Sequence, residues 1–210
     1  MVDVAVVDYG MGNLRSVEQA LRKVAPDAEV MVSDAPGVIA NAKRVVFPGQ
    51  GAMPDCMREL DARGLRAAVL DAARHKPFLG ICIGLQMLFE HSDEGDVAGL
   101  GILPGKVVRF ASDMHDAQGG KLKVPHMGWN RVHHGEHPLW QGIDQDSRFY
   151  FVHSYHVQPQ DVSLVQATSD YPRPFVCAVA RGNLFAVQFH PEKSQAAGLR
   201  LLQNFMQWNP

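Results

Sequence analysis

Cys82 lies between two glycines, at a point where the spacing of the apolar residues changes. Gly80 and Gly84 stand two residues to either side, and glycine avoids the Cβ collisions of a sharp turn. The flanking residues predict a buried strand and then a helix: Phe78, Leu79 and Ile81 before the cysteine, and Leu85, Leu88 and Phe89 after it. The pattern G-x-C-x-G is the thiol counterpart of the nucleophile elbow, so it indicates a cysteine that attacks acyl groups.

A nucleophilic Cys82 requires a basic partner. A helix terminus stabilises a negative charge by typically about 0.3–1 kcal/mol. One pKa unit corresponds to about 1.36 kcal/mol, and a free thiol titrates near about 8.5. The helix alone therefore does not produce a thiolate at neutral pH. The alternative interpretation is a buried structural cysteine, which needs no such partner.

His190 is the predicted base, because it ends an apolar strand and Glu192 follows two residues later. The rigid Pro191 between them favours a carboxylate that is aimed at the imidazole and holds its tautomer. Cys82, His190 and Glu192 then form the nucleophile, base and orienting acid of an acyl-transfer site. His153 is the rival base, although no acid lies near it in the sequence. A strand-end histidine with a purely structural role is the other interpretation of His190.

Two backbone N–H groups are predicted to bind the oxyanion of a tetrahedral intermediate. Gln50 lies in the glycine-rich segment Pro48–Gly51, where the chain can approach a substrate closely. Ile83 directly follows the nucleophile, which is the usual position of the second donor. The site would thus use donors from two separate parts of the chain.

Three other patterns bear on possible cofactors and metals. Gly10–Arg15 lacks the third glycine of a dinucleotide loop, and Leu100–Lys106 lacks the first glycine and the hydroxyl of a phosphate loop. His133, His134 and His137 are surrounded by residues typical of an exposed loop, which disfavours a metal site. We therefore expect neither a metal nor a cofactor.

Charge and cysteine content restrict the class of protein. Lys and Arg number 20 against 22 Asp and Glu, a formal charge of −2 without a basic run, which disfavours nucleic-acid binding. Met1–Asp8 has acidic residues within its apolar run, so it predicts a first strand and not a signal peptide. No stretch is apolar enough to span a membrane. The cysteines are odd in number and far apart, which favours a reducing, cytoplasmic location: Cys56, Cys82 and Cys177.

The 210 residues, 46% of them hydrophobic, predict one domain over residues 1–210. Strands and helices alternate in the first half, which predicts an α/β fold of three layers with a mostly parallel central sheet between helices. The expected strands there are 2–7, 28–32, 44–47 and 78–81, and the expected helices are one after 13 and those at 54–62 and 65–75. After Glu90, short strands predict an added antiparallel region. A last strand at 184–189 and a closing helix complete the expected fold.

Two motifs resemble those of the class I, or triad, glutamine amidotransferases: Gly80–Gln86 around the cysteine and Gln188–Ser194 around the histidine. Further segments resemble those of the family members that supply ammonia for imidazole glycerol phosphate synthesis in histidine biosynthesis: Asp8–Leu14, Pro48–Ala52, Val124–Asn130 and Phe151–Tyr155. The resemblance covers nearly the whole chain, and it implies a flavodoxin-like arrangement of the sheet.

The resemblance implies that Cys82 attacks the side-chain amide of glutamine, that His190 shuttles the proton, and that Glu192 orients the imidazole. Glutamate and ammonia result, and Gly51 and Gln86 are implied as substrate contacts. The family further implies a heterodimer with a cyclase subunit, a (βα)₈ barrel that uses the ammonia to convert PRFAR into imidazole glycerol phosphate and AICAR. The implied partner-interface residues are Pro125, Met127, Trp129, Asn130, His153, Ser154, Tyr155 and Lys193.

The chain departs from the family pattern at two positions. Gln50 stands where valine is more common, and His156 stands where a tyrosine or a small residue is common. One alternative is the glutaminase of an anthranilate or GMP synthase, and Leu85 argues against it because that resemblance favours histidine there. A non-catalytic scaffold that only regulates a barrel partner is an alternative from a different class.

Overall fold

The protein is built on a central mixed β-sheet with helices on both sides. The computed structural model describes residues 2–116 and 118–210. Its strands are β1 (Val4–Val7), β2 (Val30–Ser33), β3 (Arg44–Gly49), β4 (Phe78–Cys82), β5 (Phe89–Ser92), β6 (Val97–Ala98), β7 (Leu103–Arg109), β8 (His126–Arg131), β9 (His133–His134), β10 (Arg148–His153), β11 (Tyr155–Pro159), β12 (Val165–Asp170), β13 (Pro174–Arg181) and β14 (Leu184–Val187). Its helices are α1 (Leu14–Val24), α2 (Pro36–Asn41), α3 (Met53–Ala62), α4 (Arg66–His75), α5 (Ile83–Gln86) and α6 (Gln195–Gln207).

Five strands of the large sheet are parallel and lie in the order β2, β1, β3, β4 and β14. This is the order of flavodoxin-like folds, in which functional groups gather at the carboxyl ends of the strands. The loops after β1, β3, β4 and β14 therefore meet along one edge of the sheet. The predicted mostly parallel sheet is confirmed.

The C-terminal half adds the antiparallel strands that were predicted. β13 pairs with β14 across a two-residue turn at Gly182 and Asn183, and antiparallel pairing continues through β11 to β7. At the edge of the sheet, β5 pairs with β7 in parallel and with β6 in antiparallel orientation. β8 and β10 form a separate antiparallel ribbon, in which His153 lies opposite His126. Because His153 ends β10, this ribbon reaches the same region as the carboxyl ends of the parallel strands.

Alternate residues of the parallel strands enter two hydrophobic cores on opposite faces of the sheet. Val4 and Val6 pack on one face, and Val45 and Phe47 pack on the other. The helices contribute Val17, Leu21, Leu201 and Phe205 to the first core and Cys56, Leu60, Val69 and Ala72 to the second. Burial on both faces explains why these strands are almost continuously apolar. The predicted three-layer arrangement is confirmed. No helix in the described ranges is both long and apolar enough to cross a membrane.

The helix predicted after Cys82 is present, but it is shorter than the apolar spacing indicated. α5 ends at Gln86, and Phe89 instead begins β5, where it pairs with Leu103 of β7. The chain returns so closely that a Cβ on Gly99 would lie 2.1 Å from the carbonyl oxygen of Phe89. Pairing with a strand fourteen residues away in the sequence therefore overrides the local helical spacing.

Other differences concern the limits of elements. The second strand begins at Val30 and not at residue 28, and the last strand ends at Val187 and not at residue 189. The short helix α2 was not predicted, because six residues are too few to establish a helical period. Asn13 precedes α1, but its side chain donates to the Ser16 hydroxyl and does not cap the helix.

Candidate active site

Cys82 occupies a strained turn between β4 and α5. Its φ of 56° and ψ of −111° lie in a region that residues with a side chain rarely adopt. A Cβ on Gly84 would lie 1.9 Å from the carbonyl oxygen of Phe47, and one on Gly80 would lie 3.0 Å from the Ala186 Cβ. The two glycines thus allow the turn to sit against β3 and β14, which holds the cysteine at the carboxyl edge of the sheet.

His190 and Glu192 form a buried pair beyond the end of β14. The imidazole Nδ1 lies 2.8 Å from Oε1 of Glu192 across a 3-10 turn at Pro191–Lys193, and the two side chains are 2% and 1% exposed. A carboxylate oxygen can only accept, so Nδ1 carries the proton of this hydrogen bond. The other ring nitrogen, Nε2, is buried and has no hydrogen-bond partner among the residues that the structure describes.

The charge of His190 is set by competing effects. Burial lowers the pKa of its imidazole, but the nearby Cys82 sulfur and the Glu192 carboxylate raise the pKa more, to about 10. The imidazole is therefore a cation at neutral pH when the sulfur is a thiolate. This is the charge state of an activated cysteine–histidine pair.

The main chain of His190 is tied to the two-stranded ribbon. Its N–H donates to the carbonyl of Tyr150 at 2.9 Å, and its own carbonyl accepts from the Ser194 hydroxyl at 2.6 Å. The Tyr150 N–H in turn donates to that hydroxyl at 3.0 Å. Ser194 therefore couples the position of His190 to β10.

A cavity of about 430 Å³ opens beside these groups. Most of the predicted site and interface residues line it: Gln50, Gly51, Cys82, Ile83, Gln86, Pro125, His153, Ser154, Tyr155, His190 and Lys193. Glu94, Tyr150 and Val152 line it as well and were not predicted. A cavity of this size is suited to a small molecule. Glu192 lies behind His190 and does not line it.

Gln188 was not predicted as a site residue although it contacts the cysteine. Its Nε2 donates to the Cys82 sulfur at 3.8 Å, and its Oε1 accepts from Gln86 Nε2 at 3.0 Å. Gln86 also donates to the Tyr155 carbonyl at 3.2 Å, which leaves its Oε1 buried without a partner among the described residues. The signal in the sequence was one polar amide in an otherwise apolar run before His190, and the structure buries it fully.

His153, the rival base, has both ring nitrogens engaged elsewhere. Its Nδ1 donates to the Tyr155 carbonyl at 2.7 Å, so Nε2 accepts from His126 Nδ1 at 2.9 Å. The Nε2 of His126 then accepts from Asn130 at 3.2 Å. Burial lowers the pKa of His153 to about 3 and that of His126 to about 4, so both rings are neutral at neutral pH. His153 supports the wall of the cavity and is poorly placed to take a proton from Cys82.

Four of the predicted interface residues divide into two pairs. Met127 and Trp129 of β8 are 62% and 42% exposed, which is unusual for large apolar side chains. His153 is buried, and Asn130 donates to the carbonyl of Asp170. The exposed pair therefore lies on the ribbon surface, whereas His153 and Asn130 support it from inside.

The three clustered histidines do not converge. The expected exposed loop is present at Gly135 and Glu136, but His133 and His134 precede it in a short strand. His133 and His134 form β9, where His133 contacts Asp170 and His134 stacks on Trp140 at 4.7 Å between ring centroids. His137 packs against Phe185. Within residues 2–116 and 118–210, no group of three or more His, Cys, Asp or Glu side chains is arranged to hold a metal.

Comparison with known proteins identifies the family. The glutamine amidotransferase class-I family model matches residues 5–208. A solved glutamine amidotransferase shares the fold with a TM-score of 0.73 at 18% identity, covering 98% of this chain and 97% of its own. A putative GMP synthase protein from Thermoplasma acidophilum does so with a TM-score of 0.69 at 18% identity, covering 99% and 93%. The chain belongs to the class-I glutamine amidotransferase family.

Sequence relatives narrow this assignment. The imidazole glycerol phosphate synthase subunit HisH of Thiobacillus denitrificans is 69% identical over 211 residues, which cover 100% of this chain and 92% of the relative. The HisH subunit of Nitrosospira multiformis is 65% identical over 212 residues, which cover 100% of both. Within the class-I family, the chain belongs with the HisH glutamine amidotransferase subunits of histidine biosynthesis.

Proposed function

We propose that this chain hydrolyses glutamine to glutamate and ammonia with Cys82, His190 and Glu192, and passes the ammonia to a synthase partner. The observation that carries the proposal is the position of the buried His190–Glu192 pair beside the strained Cys82. The proposed nucleophile ends β4 and the proposed base lies just beyond β14, and these strands are neighbours although the two residues are far apart in the sequence.

The chemistry follows from the charges of the site. The Cys82 thiolate attacks the amide carbon, and the C–N bond breaks as the His190 imidazolium gives its Nε2 proton to the leaving ammonia. Neutral His190 then takes a proton from water, which attacks the thioester and releases glutamate and the thiolate. Glu192 holds the proton on Nδ1 throughout, so that Nε2 stays available for transfer.

The cavity wall supplies the groups that would hold substrate and oxyanion. We assign the backbone N–H groups of Gln50 and Ile83 to the oxyanion, because both residues line the cavity beside Cys82. Gly51 and Gln86 are assigned to substrate binding. The unpartnered Oε1 of Gln86 can accept a hydrogen bond from a substrate amide or amine.

The proposed partner is the cyclase subunit HisF, a (βα)₈ barrel that forms a heterodimer with this chain. Met127 and Trp129 are its proposed contacts, together with the cavity-mouth residues Pro125, Ser154 and Tyr155 and with Lys193. The ammonia would be joined there to PRFAR to give imidazole glycerol phosphate and AICAR. We further propose that residues 1–210 act as one domain in the cytoplasm, where the three free cysteines remain reduced.

Three other functions compete with this proposal. A glutaminase of a GMP-type synthase shares this fold, but that likeness is at 18% identity, against 65–69% for two HisH relatives. An anthranilate-type glutaminase is the other case within enzymes. Burying the two charges of an ion pair costs free energy of desolvation. A non-catalytic scaffold would have no use for such a pair beside a strained cysteine.

Replacement of the nucleophile tests the proposal. Cys82→Ser should abolish glutamine-dependent synthase activity of the complex with the cyclase, because a hydroxyl is a much weaker nucleophile than a thiolate. Activity driven by added ammonium salt should persist. Cys177→Ser, at an equally buried free cysteine on β13, is the control for burial of a hydroxyl. Retention of more than a few per cent of glutamine turnover by Cys82→Ser would exclude the assignment.

A further inference from the structure

Gln188 carries a buried amide that the proposed chemistry does not use. β14 pairs with β4 in parallel as far as Val187 and Ile81. The next residues, Gln188 and Cys82, therefore lie side by side where this pairing ends. Gln188 is fully buried, and its backbone N–H donates to the carbonyl of Cys177 at 2.8 Å. A buried amide is costly unless its polar atoms have hydrogen-bond partners, so the partners of the side chain indicate its role.

The orientation of the Gln188 amide is fixed by Gln86. One end of the Gln86 amide lies 3.2 Å from the Tyr155 carbonyl oxygen, which can only accept, so this end is the NH₂ group. The second hydrogen of that group needs another acceptor, which Gln188 supplies at 3.0 Å. The atom of Gln188 at this position is therefore its Oε1. The Nε2 of Gln188 then faces the Cys82 sulfur at 3.8 Å as a donor.

The Cys82 sulfur accepts its hydrogen bond from Gln188 and not from the proposed base. The Nε2 of His190 makes no hydrogen bond to any residue that the structure describes. The two groups are nevertheless close enough for the sulfur to raise the pKa of the imidazole. Cys82 is only 5% exposed, so water can do little to stabilise a charge on its sulfur. The Gln188 amide takes the place of water as the donor.

This donor contacts the sulfur in both steps that change its charge. In the first step the sulfur uses an electron pair to form the C–S bond, while His190 keeps its Nε2 proton for the leaving ammonia. When the thioester is hydrolysed, the C–S bond breaks and the pair returns to the sulfur. Negative charge then develops beside the Gln188 N–H for a second time. Because a neutral amide does not titrate, it remains a fixed donor throughout.

Resting on the proposed function, we propose that Gln188 is a further catalytic residue, whose side-chain N–H holds the Cys82 thiolate before attack and stabilises it again as it leaves the thioester. The same amide accepts from Gln86, whose unpartnered Oε1 is assigned to the substrate. One hydrogen-bonded chain thus connects the group that would bind glutamine with the sulfur that would attack it. His190 is left to transfer protons, and Gln188 stabilises the charge on sulfur.

The pH dependence of Cys82 alkylation tests this role without substrate or partner. Iodoacetamide reacts with thiolates, and mass spectrometry of the digested chain separates Cys82 from Cys56 and Cys177, which are fully buried. Gln188→Leu should raise the pH of half-maximal alkylation by about one to two units, the value of one hydrogen bond to a charged group. The rate on the upper plateau should not fall, because the sulfur stays in place.

Turnover of glutamine tests the same role in the complex with the cyclase. Gln188→Leu should lower kcat about tenfold or more, since both steps lose the same donor. Gln188→Glu provides a second test should the leucine variant fail to fold, because it keeps the length of the side chain and the acceptor for Gln86. Its carboxylate has no N–H and adds a like charge beside the sulfur. The pH of half-maximal alkylation should therefore rise at least as far.

A matched control separates catalysis from stability. Asn204 is a structural amide of α6 that donates to the carbonyls of Leu139 and Gln141, away from the cavity. Asn204→Leu should lower the midpoint of thermal unfolding and leave the alkylation profile and kcat unchanged. The inference is overturned if the Gln188 variants behave in this way. If the wild-type complex fails to hydrolyse glutamine, the proposed function is refuted, while the alkylation profile still decides whether Gln188 holds the thiolate.

Discussion

Glu192 accepts a hydrogen bond from His190 at 2.8 Å, and its second carboxylate oxygen is buried with no partner in the described part of the chain. A buried carboxylate with a single hydrogen bond depends strongly on the charge of that partner. The imidazole in turn depends on the carboxylate for its tautomer. The two residues therefore act as one unit, in which only His190 faces the cavity.

We predict that His190→Asn and Glu192→Gln differ in severity. His190→Asn should lower acyl-enzyme formation by about 10³-fold or more, because it removes the proton donor and acceptor. Glu192→Gln should leave measurable activity, since an orienting carboxylate does not itself carry the proton. Pre-steady-state burst kinetics with glutamine measure acyl-enzyme formation directly. His153→Ala is the control, and a loss as large as that of His190→Asn would contradict the assignment of His190 as the base.

The protonation of His190 can be followed by pH titration. Its folded pKa of about 10 lies above the ordinary value of 6.5, so the stabilisation by its charge is complete below pH 6.5 and is lost as the pH rises through about 10. The free energy of unfolding should therefore decrease between pH 7 and 10 more in the wild type than in His190→Asn. NMR titration of the imidazole should give a lower pKa in Glu192→Gln. An unchanged pKa there would contradict the role of the carboxylate.

Acid should destabilise the protein through His126 and His153. Their folded pKa values, about 4 and about 3, lie below the ordinary 6.5, so the stabilisation is present above pH 6.5 and is lost as the pH falls. In urea unfolding the two imidazoles should together account for a loss of roughly 6 kcal/mol between pH 7 and 4, about 3 kcal/mol from each. His153→Asn should show a shallower dependence. A matched substitution at the exposed His75 should leave the slope unchanged.

The residues of the proposed triad could be chosen from the sequence because each stands beside a local signal. Two glycines bracket Cys82, and a proline separates His190 from Glu192. Gln188 has no local signal beyond its polarity, and its contact with Cys82 depends on the pairing of β14 with β4. The contact of the Tyr9 hydroxyl with Gly49 could not be predicted from the sequence either, because it depends on the pairing of β1 with β3.

Some parts of the fold could likewise be predicted from local sequence, and others depend on distant pairing. The apolar runs of the parallel strands predict their own burial, and the Gly182 turn predicts its hairpin. The helix after Cys82 was predicted to be too long, because Leu88 and Phe89 fit a helical period and a strand pairing equally well in the sequence. Only the distant strand β7 decides between the two.

Gly84→Ala should disrupt the turn at Cys82. The added Cβ would lie 1.9 Å from the Phe47 carbonyl oxygen, so β3 or the turn must move. We expect a loss of stability of at least about 2 kcal/mol together with loss of glutamine turnover. Gly37→Ala in α2 is the control, because no atom lies within 4 Å of its Cβ position. Thermal unfolding of both variants gives the comparison, and similar midpoints would refute the steric argument.

Trp129→Ala should weaken binding of the cyclase subunit about tenfold or more, because exposed aromatic residues are frequent hot spots of interfaces. Isothermal titration calorimetry gives the dissociation constant directly. Val162→Ala provides the control, since Val162 is 82% exposed but lies outside the β8–β10 ribbon. Equal affinities of the two variants would exclude this ribbon as the binding surface.

The position of β14 between β4 and β13 has a consequence for the synthesis of the protein. Residues 1–183 are synthesised before this strand, so the growing chain contains Cys82 long before it contains His190. Until β14 inserts, β4 has an unpaired edge, and exposed edges of this kind are prone to association with other chains. Under the proposed mechanism, Cys82 therefore remains without its base until β14 is in place, and the nascent protein cannot release ammonia before then.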